Sequence, residues 1–221
     1  MPEADTTPIA VDLDGTLIKT DLMVEACAWM WKHKPLRMLW LILAEGSMSR
    51  ARFKWTLYSE VTFDPQPLNE RLVVWLGERK KEGRKLILAT AAPQFSAEAM
   101  ARQMGDLFDE AVGSTREENR RYKKKARWLV GRFGEKKFDY IGNSQADIPV
   151  WQAARAAYNV NPSKRLKTEA KEAGLLLIQI AESAQAEAME KWDDWLRTWK
   201  WLRWVLLIIA VIIVSCGGLR K

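Results

Sequence analysis

The sequence predicts an α/β fold with a mostly parallel sheet and a segment inserted into it. One observation supports the fold class and a second supports the insertion. Short apolar runs alternate along the chain with segments of helical periodicity, which is typical of a parallel sheet covered by helices on both faces. In addition, the first and second apolar runs are separated by Asp14 to Leu86, far more than the roughly 30 residues of one βαβ unit. The surplus indicates a segment inserted after the first strand.

Five apolar segments are predicted as strands, because each is short and bounded by polar or turn-forming residues. They are Pro8–Leu13, Lys85–Thr90, Asp109–Ser114, Phe138–Asn143 and Ala157–Asn161. Helical periodicity predicts helices between them, at Leu68–Lys81, Ser96–Met104, Lys123–Phe133 and Asp147–Ala154. Gly83 follows the first of these helices and is expected to end it, since glycine commonly stands just past a helix.

The inserted segment 21–67 is rich in Trp, Met and Leu at helical spacing and is predicted to form a small helical cap. The predicted core consists of residues 1–20 and 68–180, followed by an amphipathic linker helix at 181–203. Residues 204–219 are predicted as a membrane anchor around the apolar run WVLLIIAVIIVSC. That run is shorter than the roughly 20 residues that cross a bilayer, but its flanking residues extend it to about 19.

Charged residues and tryptophans flank this apolar run, which favours a single-pass C-terminal transmembrane helix. The alternative is a buried core helix or an oligomer contact. Basic residues precede the run and no signal sequence opens the chain, so the catalytic domain is expected in the cytoplasm. A membrane is therefore one expected partner.

Composition excludes several kinds of chemistry. The chain contains one histidine, His33, and two cysteines, Cys27 and Cys216. A histidine-based triad would depend on His33 alone, and a zinc site would lack most of its ligands. The wide separation of the cysteines also predicts no disulfide framework. Any reaction is therefore expected to use carboxylates, hydroxyl groups, lysines or a hard cation.

Polar residues stand at the ends of three predicted strands, where open parallel sheets bind their ligands. The first strand ends in Asp12 and Asp14, which lie two residues apart and therefore share one side of the extended chain. Their mutual repulsion is relieved by a divalent cation or a shared proton, and oxygen ligands suit Mg²⁺. Thr90 ends the second strand. Asn143 ends the fourth, with Asp147 four residues further on.

A basic cluster between Arg120 and Arg127 includes the consecutive lysines Lys123, Lys124 and Lys125. At least one of these lysines is placed to meet an anion. The rest of the cluster is expected to be a solvated helix face, with attraction to anionic lipid headgroups as the alternative. No nucleic acid is expected as a partner, because no recognised nucleic-acid-binding module accompanies the charge.

The motif DLDGTL, followed by Thr90 at a strand end, a lysine that opens a helix, and the motif GNSQAD, resembles the haloacid dehalogenase (HAD) superfamily of phosphohydrolases. The segments DLDGTLIKTDL, LATAAP and FDYIGNSQADIPVWQAARAAYNVN are further similar to the HAD-type domain that is fused to UbiA-type membrane prenyltransferases. This resemblance covers residues 9–161 and implies a Rossmann-like HAD core with a small helical cap.

The resemblance also implies roles for polar residues at the strand ends. Asp12 would attack phosphorus and form an aspartyl-phosphate, while Asp14 would protonate the leaving oxygen and later activate water. Thr90 and Lys125 would hold the phosphoryl oxygens. Lys125 is preferred over the two lysines before it, because its spacing from Asn119 is the one seen in the resembling domains.

Magnesium is the cofactor that the same resemblance implies. It would lie between Asp12, the backbone carbonyl of Asp14 and the loop that contains Asn143 and Asp147. Many superfamily members carry aspartate at the position of Asn143, so this chain would bring one unit less of negative charge to the metal. Asp147 would compensate as a direct or water-mediated ligand.

The expected function is Mg²⁺-dependent hydrolysis of a phosphomonoester at a membrane. The expected substrate is lipid-linked, a polyprenyl-phosphate sugar phosphate, and a prenyltransferase is the expected protein partner, because the resembling fusions make or process such lipids. Two alternatives stay open. One is a non-catalytic accessory protein of a prenyltransferase, which Asn143 would favour. The other is a phosphotransferase, which would pass the phosphoryl group from Asp12 to an alcohol instead of water.

Overall fold

A six-stranded parallel sheet organises the part of the chain that the computed structural model describes, residues 5–45, 48–59, 67–115, 118–160 and 162–181. The strands lie in the order β3-β2-β1-β4-β5-β6, and every neighbouring pair is parallel. They are β1 (Ile9–Val11), β2 (Leu86–Pro93), β3 (Glu110–Ser114), β4 (Asp139–Gly142), β5 (Ala157–Val160) and β6 (Leu177–Ala181). The predicted α/β class with a parallel sheet is therefore confirmed.

Helices connect these strands, and several begin at a side chain that accepts a backbone N–H. Asp21, Asn69 and Ser163 each cap a helix in this way. In the described ranges the helices are α1 (Leu22–His33), α2 (Pro35–Ala44), α3 (Met48–Tyr58), α4 (Glu70–Lys81), α5 (Gln94–Gln103), α6 (Lys123–Phe133), α7 (Ile148–Ala153) and α8 (Lys164–Glu172). Gly83, at a φ of +86°, follows α4, where the sequence predicts a helix-ending glycine.

Two elements were not predicted from the sequence, α8 and β6. Helix α8 is mostly polar and buries only Leu166 and Ala170, so its apolar signal is weak. Strand β6 lies at the edge of the sheet beside β5 alone, and Gln179 interrupts its apolar run. Both elements extend the core beyond the five predicted strands.

The sheet is covered on both faces by hydrophobic clusters. Ile9 and Val11 of β1 point to the cluster that contains Leu72 and Leu76 of α4. Ala10, between them, points to the opposite cluster, which joins α6 and α7 to the sheet through residues such as Leu129 and Trp151. Because successive side chains of a strand alternate in direction, one three-residue strand supplies both layers. Each fully buried Leu or Ile contributes about 1.5–3 kcal/mol of transfer free energy.

The inserted segment forms helices α1, α2 and α3, which pack around a small cluster of their own. Its buried members include Met30, Met38, Leu41 and Trp55. The two ends of the insertion lie side by side in a pair of short extended segments, 17–19 and 67–69, which we call the clasp. In the clasp Lys19 N donates to Pro67 O at 2.7 Å and Asn69 N donates to Leu17 O at 2.9 Å. The clasp thus pairs the two ends of the insertion beside the core, and Leu22 of α1 packs into the core cluster next to it.

Within the described ranges, no helix combines the length and apolar character needed to cross a membrane. Residues 182–221 are outside those ranges. The predicted anchor at 204–219 lies there, as does the predicted linker helix at 181–203 except for its first residue, which is the last residue of β6. Both stay predictions.

Candidate active site

The polar residues predicted to form a site lie at the carboxyl edge of the sheet. Asp12 directly follows β1, Thr90 lies within β2, and Asn143 directly follows β4. Strand β1 lies between β2 and β4, so the three residues come from neighbouring strands. The topology therefore brings these positions to one end of the sheet, where ligands of open α/β sheets bind.

Asp12 is enclosed and held by defined partners. Its Oδ1 accepts hydrogen bonds from Lys125 Nζ at 2.8 Å and from Leu13 N at 2.9 Å. Burial raises the pKa of Asp12 to about 6, although the Lys125 ammonium opposes that increase. The carboxylate is therefore kept in a low-dielectric site beside one cation, where its charge is poorly solvated.

Asp14 lies in a tight turn that leads from β1 into the clasp. Gly15 follows it at a φ of +68°, a left-handed conformation that favours glycine. Asp14 Oδ1 accepts a hydrogen bond from Leu22 N, at the start of α1, at 3.0 Å. Burial, followed by repulsion from the Asp21 carboxylate, raises the pKa of Asp14 well above its usual value. A carboxyl group in this state is suited to carry a proton near neutral pH.

Lys125 connects the groups of the site. Its side chain is 6% exposed, and its Nζ lies 2.8 Å from Tyr140 Oη and 3.7 Å from Asp147 Oδ1, in addition to its contact with Asp12. Burial alone would lower the pKa of Lys125, but the Asp12 and Asp147 carboxylates outweigh burial and raise it. The ammonium therefore stays charged. Lys123 and Lys124 are exposed, so the structure brings only the predicted lysine of the three to Asp12.

Thr90 is buried near the carboxyl end of β2. Its Oγ1 accepts a hydrogen bond from Ala92 N at 2.9 Å, which fixes the side chain while leaving its own proton available for donation. The side chain is 1% exposed in the chain without substrate. This arrangement is compatible with the predicted contact to a phosphoryl oxygen.

Asp147 organises the loop after β4. Its Oδ2 accepts from Asn143 N at 3.2 Å and from the backbone N and the Oγ of Ser144, both at 3.1 Å. Its Oδ1 accepts from Tyr140 Oη at 2.7 Å. The carboxylate also packs against Gly142, where an added Cβ would stand 2.6 Å from the Asp147 Cγ, so only glycine fits. These bonds hold the Asn143 loop in place, and the predicted metal-ligand role of Asp147 stays a prediction.

The donor set of the site fits a hard divalent cation. Asp12, Asp14 and Asp147 bring three enclosed carboxyl groups, and the Lys125 ammonium contacts those of Asp12 and Asp147. Within the described ranges, no three acidic, histidine or cysteine side chains converge enough to hold an ion by themselves. Mg²⁺ commonly uses one or two carboxylates and keeps several waters, so Asp12, the Asp14 carbonyl and the Asn143 amide oxygen would suffice.

Sequence reasoning missed Tyr140. Its phenol lies in β4, accepts a hydrogen bond from Lys125 Nζ and donates one to Asp147 Oδ1. It therefore links Lys125, which contacts Asp12 at the end of β1, to the loop after β4. Burial, followed by the Asp12 and Asp147 carboxylates, raises the pKa of Tyr140 well above its usual value, which keeps the hydroxyl protonated. The sequence signal that could have indicated it is the spacing of Tyr140, which stands two residues before Gly142, the last residue of β4. The two residues therefore lie on the same face of the strand.

Comparison with known proteins identifies the family of the chain. A sequence model of the haloacid dehalogenase-like hydrolases matches residues 9–152. The chain belongs to this family. The matched region begins with β1 and ends within α7, so all six predicted site residues of the HAD-like domain lie inside it.

Several solved structures share the HAD-like fold. A substrate-bound phosphoserine phosphatase is 14% identical with a TM-score of 0.58, over 86% of this chain and 99% of that one. A putative phosphatase from Clostridium difficile is 15% identical with a TM-score of 0.56, over 85% and 99%. A HAD family hydrolase from Salmonella enterica serovar Typhi is 14% identical with a TM-score of 0.57, over 76% and 66%. At these identities the three structures show that the chain shares their fold.

A longer relative matches nearly the whole chain. The uncharacterized protein y4nM of Sinorhizobium fredii is 30% identical over 208 residues, which are 93% of this chain and 40% of that protein. The chain therefore spans 40% of the length of this relative. The similarity therefore extends well beyond residue 152, where the match to the HAD-like family ends.

Proposed function

We propose that the HAD-like domain is a Mg²⁺-dependent phosphoric monoester hydrolase that works through an aspartyl-phosphate on Asp12. The observation that supports this most strongly is the seating of the Asp12 carboxylate. It lies at the carboxyl edge of the sheet, 2.8 Å from the buried Lys125 ammonium and two residues before the enclosed Asp14. A nucleophile, a cation and a proton carrier are thus held together in one low-dielectric site.

In the first step, Asp12 forms a bond to phosphorus while the bond from phosphorus to the leaving oxygen breaks. We assign the attack to Oδ2, because Oδ1 already accepts from Lys125 and Leu13. Asp14 gives its proton to the leaving oxygen, so an alcohol departs and Asp14 becomes a carboxylate. Lys125 and Thr90 donate hydrogen bonds to the phosphoryl oxygens as negative charge develops on them.

In the second step, water attacks the phosphorus of the aspartyl-phosphate. Asp14 accepts the proton of that water, the acyl-phosphate bond breaks, and inorganic phosphate leaves with Asp12 restored as a carboxylate. Asp14 therefore serves as acid and then as base, and its raised pKa suits the acid role at neutral pH. A bound Mg²⁺ supplies neutralisation of the phosphoryl and carboxylate charges.

The substrate class that we propose is a lipid-linked phosphomonoester at a membrane, a polyprenyl-phosphate sugar phosphate whose terminal phosphate is removed, with the catalytic domain on the cytoplasmic side. The apolar run at 204–216 supports the membrane location. The similarity to domains fused to UbiA-type prenyltransferases supports the lipid class, and a prenyltransferase is the partner that we propose. The greater length of the Sinorhizobium relative is compatible with such domains occurring in larger proteins.

Phosphate release from an aryl phosphate tests the chemistry. The full chain in detergent, with Mg²⁺, is expected to hydrolyse the aryl phosphate. The kcat of the Asp12→Asn variant is expected to be lower by about 10⁴-fold or more. Chelation of the metal should reduce the parent rate as well. Asp106→Asn, at an exposed turn, is the matched control and should keep full activity. Equal rates for parent and Asp12→Asn would overturn the proposal.

A second substrate tests the lipid class separately. The same protein is given a polyprenyl-phosphate sugar phosphate in mixed micelles, and the products are separated. Release of phosphate at a higher kcat/KM than from the aryl phosphate supports the proposed class. Turnover of the aryl phosphate alone would overturn the lipid class and leave the hydrolase chemistry in place.

A further inference from the structure

Helix α2 is apolar on both of its sides, and one of those sides is exposed. Met38 and Leu41 point into the cap cluster and are buried. The opposite side consists of four large apolar residues, Leu36 (82% exposed), Leu39 (39%), Trp40 (61%) and Leu43 (54%). We call these four residues the α2 face. A helix that is apolar all round is typical of a buried or membrane-associated position, and this one is covered on one side only.

The α2 face is a continuous patch. Its members are spaced by three, one and three residues, which places them on one side of an α-helix. Trp31, near the end of α1, is 65% exposed and adds a second large indole to the exposed apolar surface of the helical cap. Large exposed apolar patches on soluble domains mark interaction sites, whereas isolated exposed leucines do not.

The charged residues in the stretch of sequence that contains the α2 face are all basic. The sequence holds no aspartate or glutamate between Glu25 and Glu45. In that interval Lys32 and Arg37 are exposed basic residues, and the Arg37 guanidinium lies 4.0 Å from the ring centroid of Tyr58. Leucines and tryptophan on one side with basic residues beside them are the composition of a helix that lies in the interface of an anionic bilayer.

We propose that the α2 face lies in the headgroup region of an anionic lipid bilayer, so that the helical cap docks on the membrane. Leucines would enter the acyl boundary, the Trp40 indole would take the interfacial position that tryptophan prefers, and Lys32 and Arg37 would contact lipid phosphates. The apolar run at 204–216 gives an independent reason for a membrane nearby. The docking requires no catalytic step, so it stands apart from the proposed hydrolase activity.

Site-directed spin labelling of the full chain in vesicles tests this docking. Cys27 and Cys216 are replaced by alanine and serine, and a nitroxide is attached at Trp40→Cys. The vesicles contain phosphatidylcholine with about 30% phosphatidylglycerol. Power saturation then measures access of the label to oxygen, which concentrates in lipid, and to a water-soluble nickel chelate. Val74→Cys, at an exposed apolar position of α4, is the matched control.

The proposal expects the label at 40 to be more accessible to oxygen than to the nickel chelate, and the label at 74 to show the reverse. Leu36→Cys repeats the measurement at a second member of the α2 face, so failure of one variant to fold does not decide the outcome. Nickel access at both 36 and 40 would show a face open to water. Exclusion of both reagents would show a protein cover, either residues 182–221 or a second copy. Either result overturns the docking.

Discussion

The parallel sheet carries a cluster of charged side chains at each of its two edges, and the two clusters balance their charges differently. At the amino edge, Asp139 is the first residue of β4 and is fully buried. Arg155 Nε donates a hydrogen bond to Asp139 Oδ1 at 2.8 Å, and Arg155 Nη2 donates one to Asp139 Oδ2 at 2.7 Å. The Arg84 guanidinium also donates to Asp139 and to Thr7 O. Two cations and a fixed network of hydrogen bonds therefore surround this one buried carboxylate.

At the carboxyl edge the ratio is reversed. Lys125 contacts the carboxyl groups of Asp12 and Asp147, the Asp14 carboxyl group adds a further negative influence on it, and the pKa of Asp12 is raised to about 6. By contrast, at the amino edge the hydrogen bonds of Asp139 and Asp5 raise the pKa of Arg155 further. The charges at the amino edge are balanced and stabilise the fold, while the carboxyl edge holds a surplus of carboxyl groups over cations that a divalent metal ion could neutralise. This difference shows that aspartates and basic residues can form a stabilising ion-pair network or a site suited to chemistry, depending on how their charges balance.

The largest expected effect on stability is at the amino edge. Asp139→Asn removes the carboxylate that Arg84 and Arg155 share, and leaving buried charge unpaired costs about 3–5 kcal/mol of unfolding free energy. Urea denaturation followed by circular dichroism measures the change. Glu110→Gln, which breaks an exposed pair with Arg132, should cost less than about 1 kcal/mol. The rate of aryl phosphate hydrolysis per folded molecule should not change in Asp139→Asn. A selective loss of kcat in this variant would contradict the assignment of a purely structural role to the amino edge.

Next in size is the loss of the lysine at the carboxyl edge. Lys125→Met removes the cation beside Asp12, so transition-state charge goes unneutralised and kcat should fall about 10²–10³-fold. Steady-state kinetics on the aryl phosphate measures it. Lys124→Met, one residue earlier and exposed, is the control and should be close to the parent. Similar losses in both variants would mean that general positive charge, and not the position of Lys125, supports the reaction.

A smaller effect is expected for the residue that joins Lys125 to the Asn143 loop. Tyr140→Phe removes a hydroxyl that accepts from Lys125 and donates to Asp147, at a cost of about 1 kcal/mol in unfolding free energy and a few-fold in kcat. Both partners keep other hydrogen bonds, which limits the loss. Tyr158→Phe, on β5 with its ring against Trp75, is the matched control. A loss in kcat as large as that of Lys125→Met would instead place the phenol among the reacting groups.

The smallest effect lies at the exposed margin of the amino edge. The hydrogen bond from Arg155, and next that from Thr7, lowers the pKa of Asp5 below its usual 3.8. A depressed acid pKa stabilises the fold above the unfolded value and loses that contribution as pH falls through the folded value. Asp5 is about half exposed, so Asp5→Asn should cost about 0.5 kcal/mol at pH 7. The cost should shrink below pH 4 in acid titrations of stability, and a cost that is constant from pH 7 to pH 3 would contradict this assignment.

Much of the sheet was predictable because buried parallel strands are apolar runs that end in polar residues. The carboxyl edge was predictable for the same reason, since Asp12, Thr90 and Asn143 each stand at or near a strand end. The choice among three consecutive lysines came from family resemblance. The structure gives the physical basis, because residues on a helix are about 100° apart and only Lys125 faces Asp12.

The amino-edge network and Tyr140 could not be predicted in this way. Arg84 meets Asp139 although 55 positions separate them, so the pairing depends on strand order, which the sequence does not display locally. Tyr140 lies inside an apolar strand and looks like a core residue, as its contact with Trp151 confirms. Its second role follows only from where Lys125 and Asp147 are placed around its hydroxyl.

The clasp at the base of the helical cap bears on how such a protein can diversify. Leu17, Lys19, Pro67 and Asn69 hold the two ends of the insertion side by side, whatever lies between them. Closing a loop costs only about 0.6 kcal/mol more for each doubling of its length, so segments of different size and composition can be carried on the same base. The helical cap could therefore change in size or surface without disturbing Asp12. The membrane docking proposed for the cap and the chemistry proposed at Asp12 would then vary independently of each other.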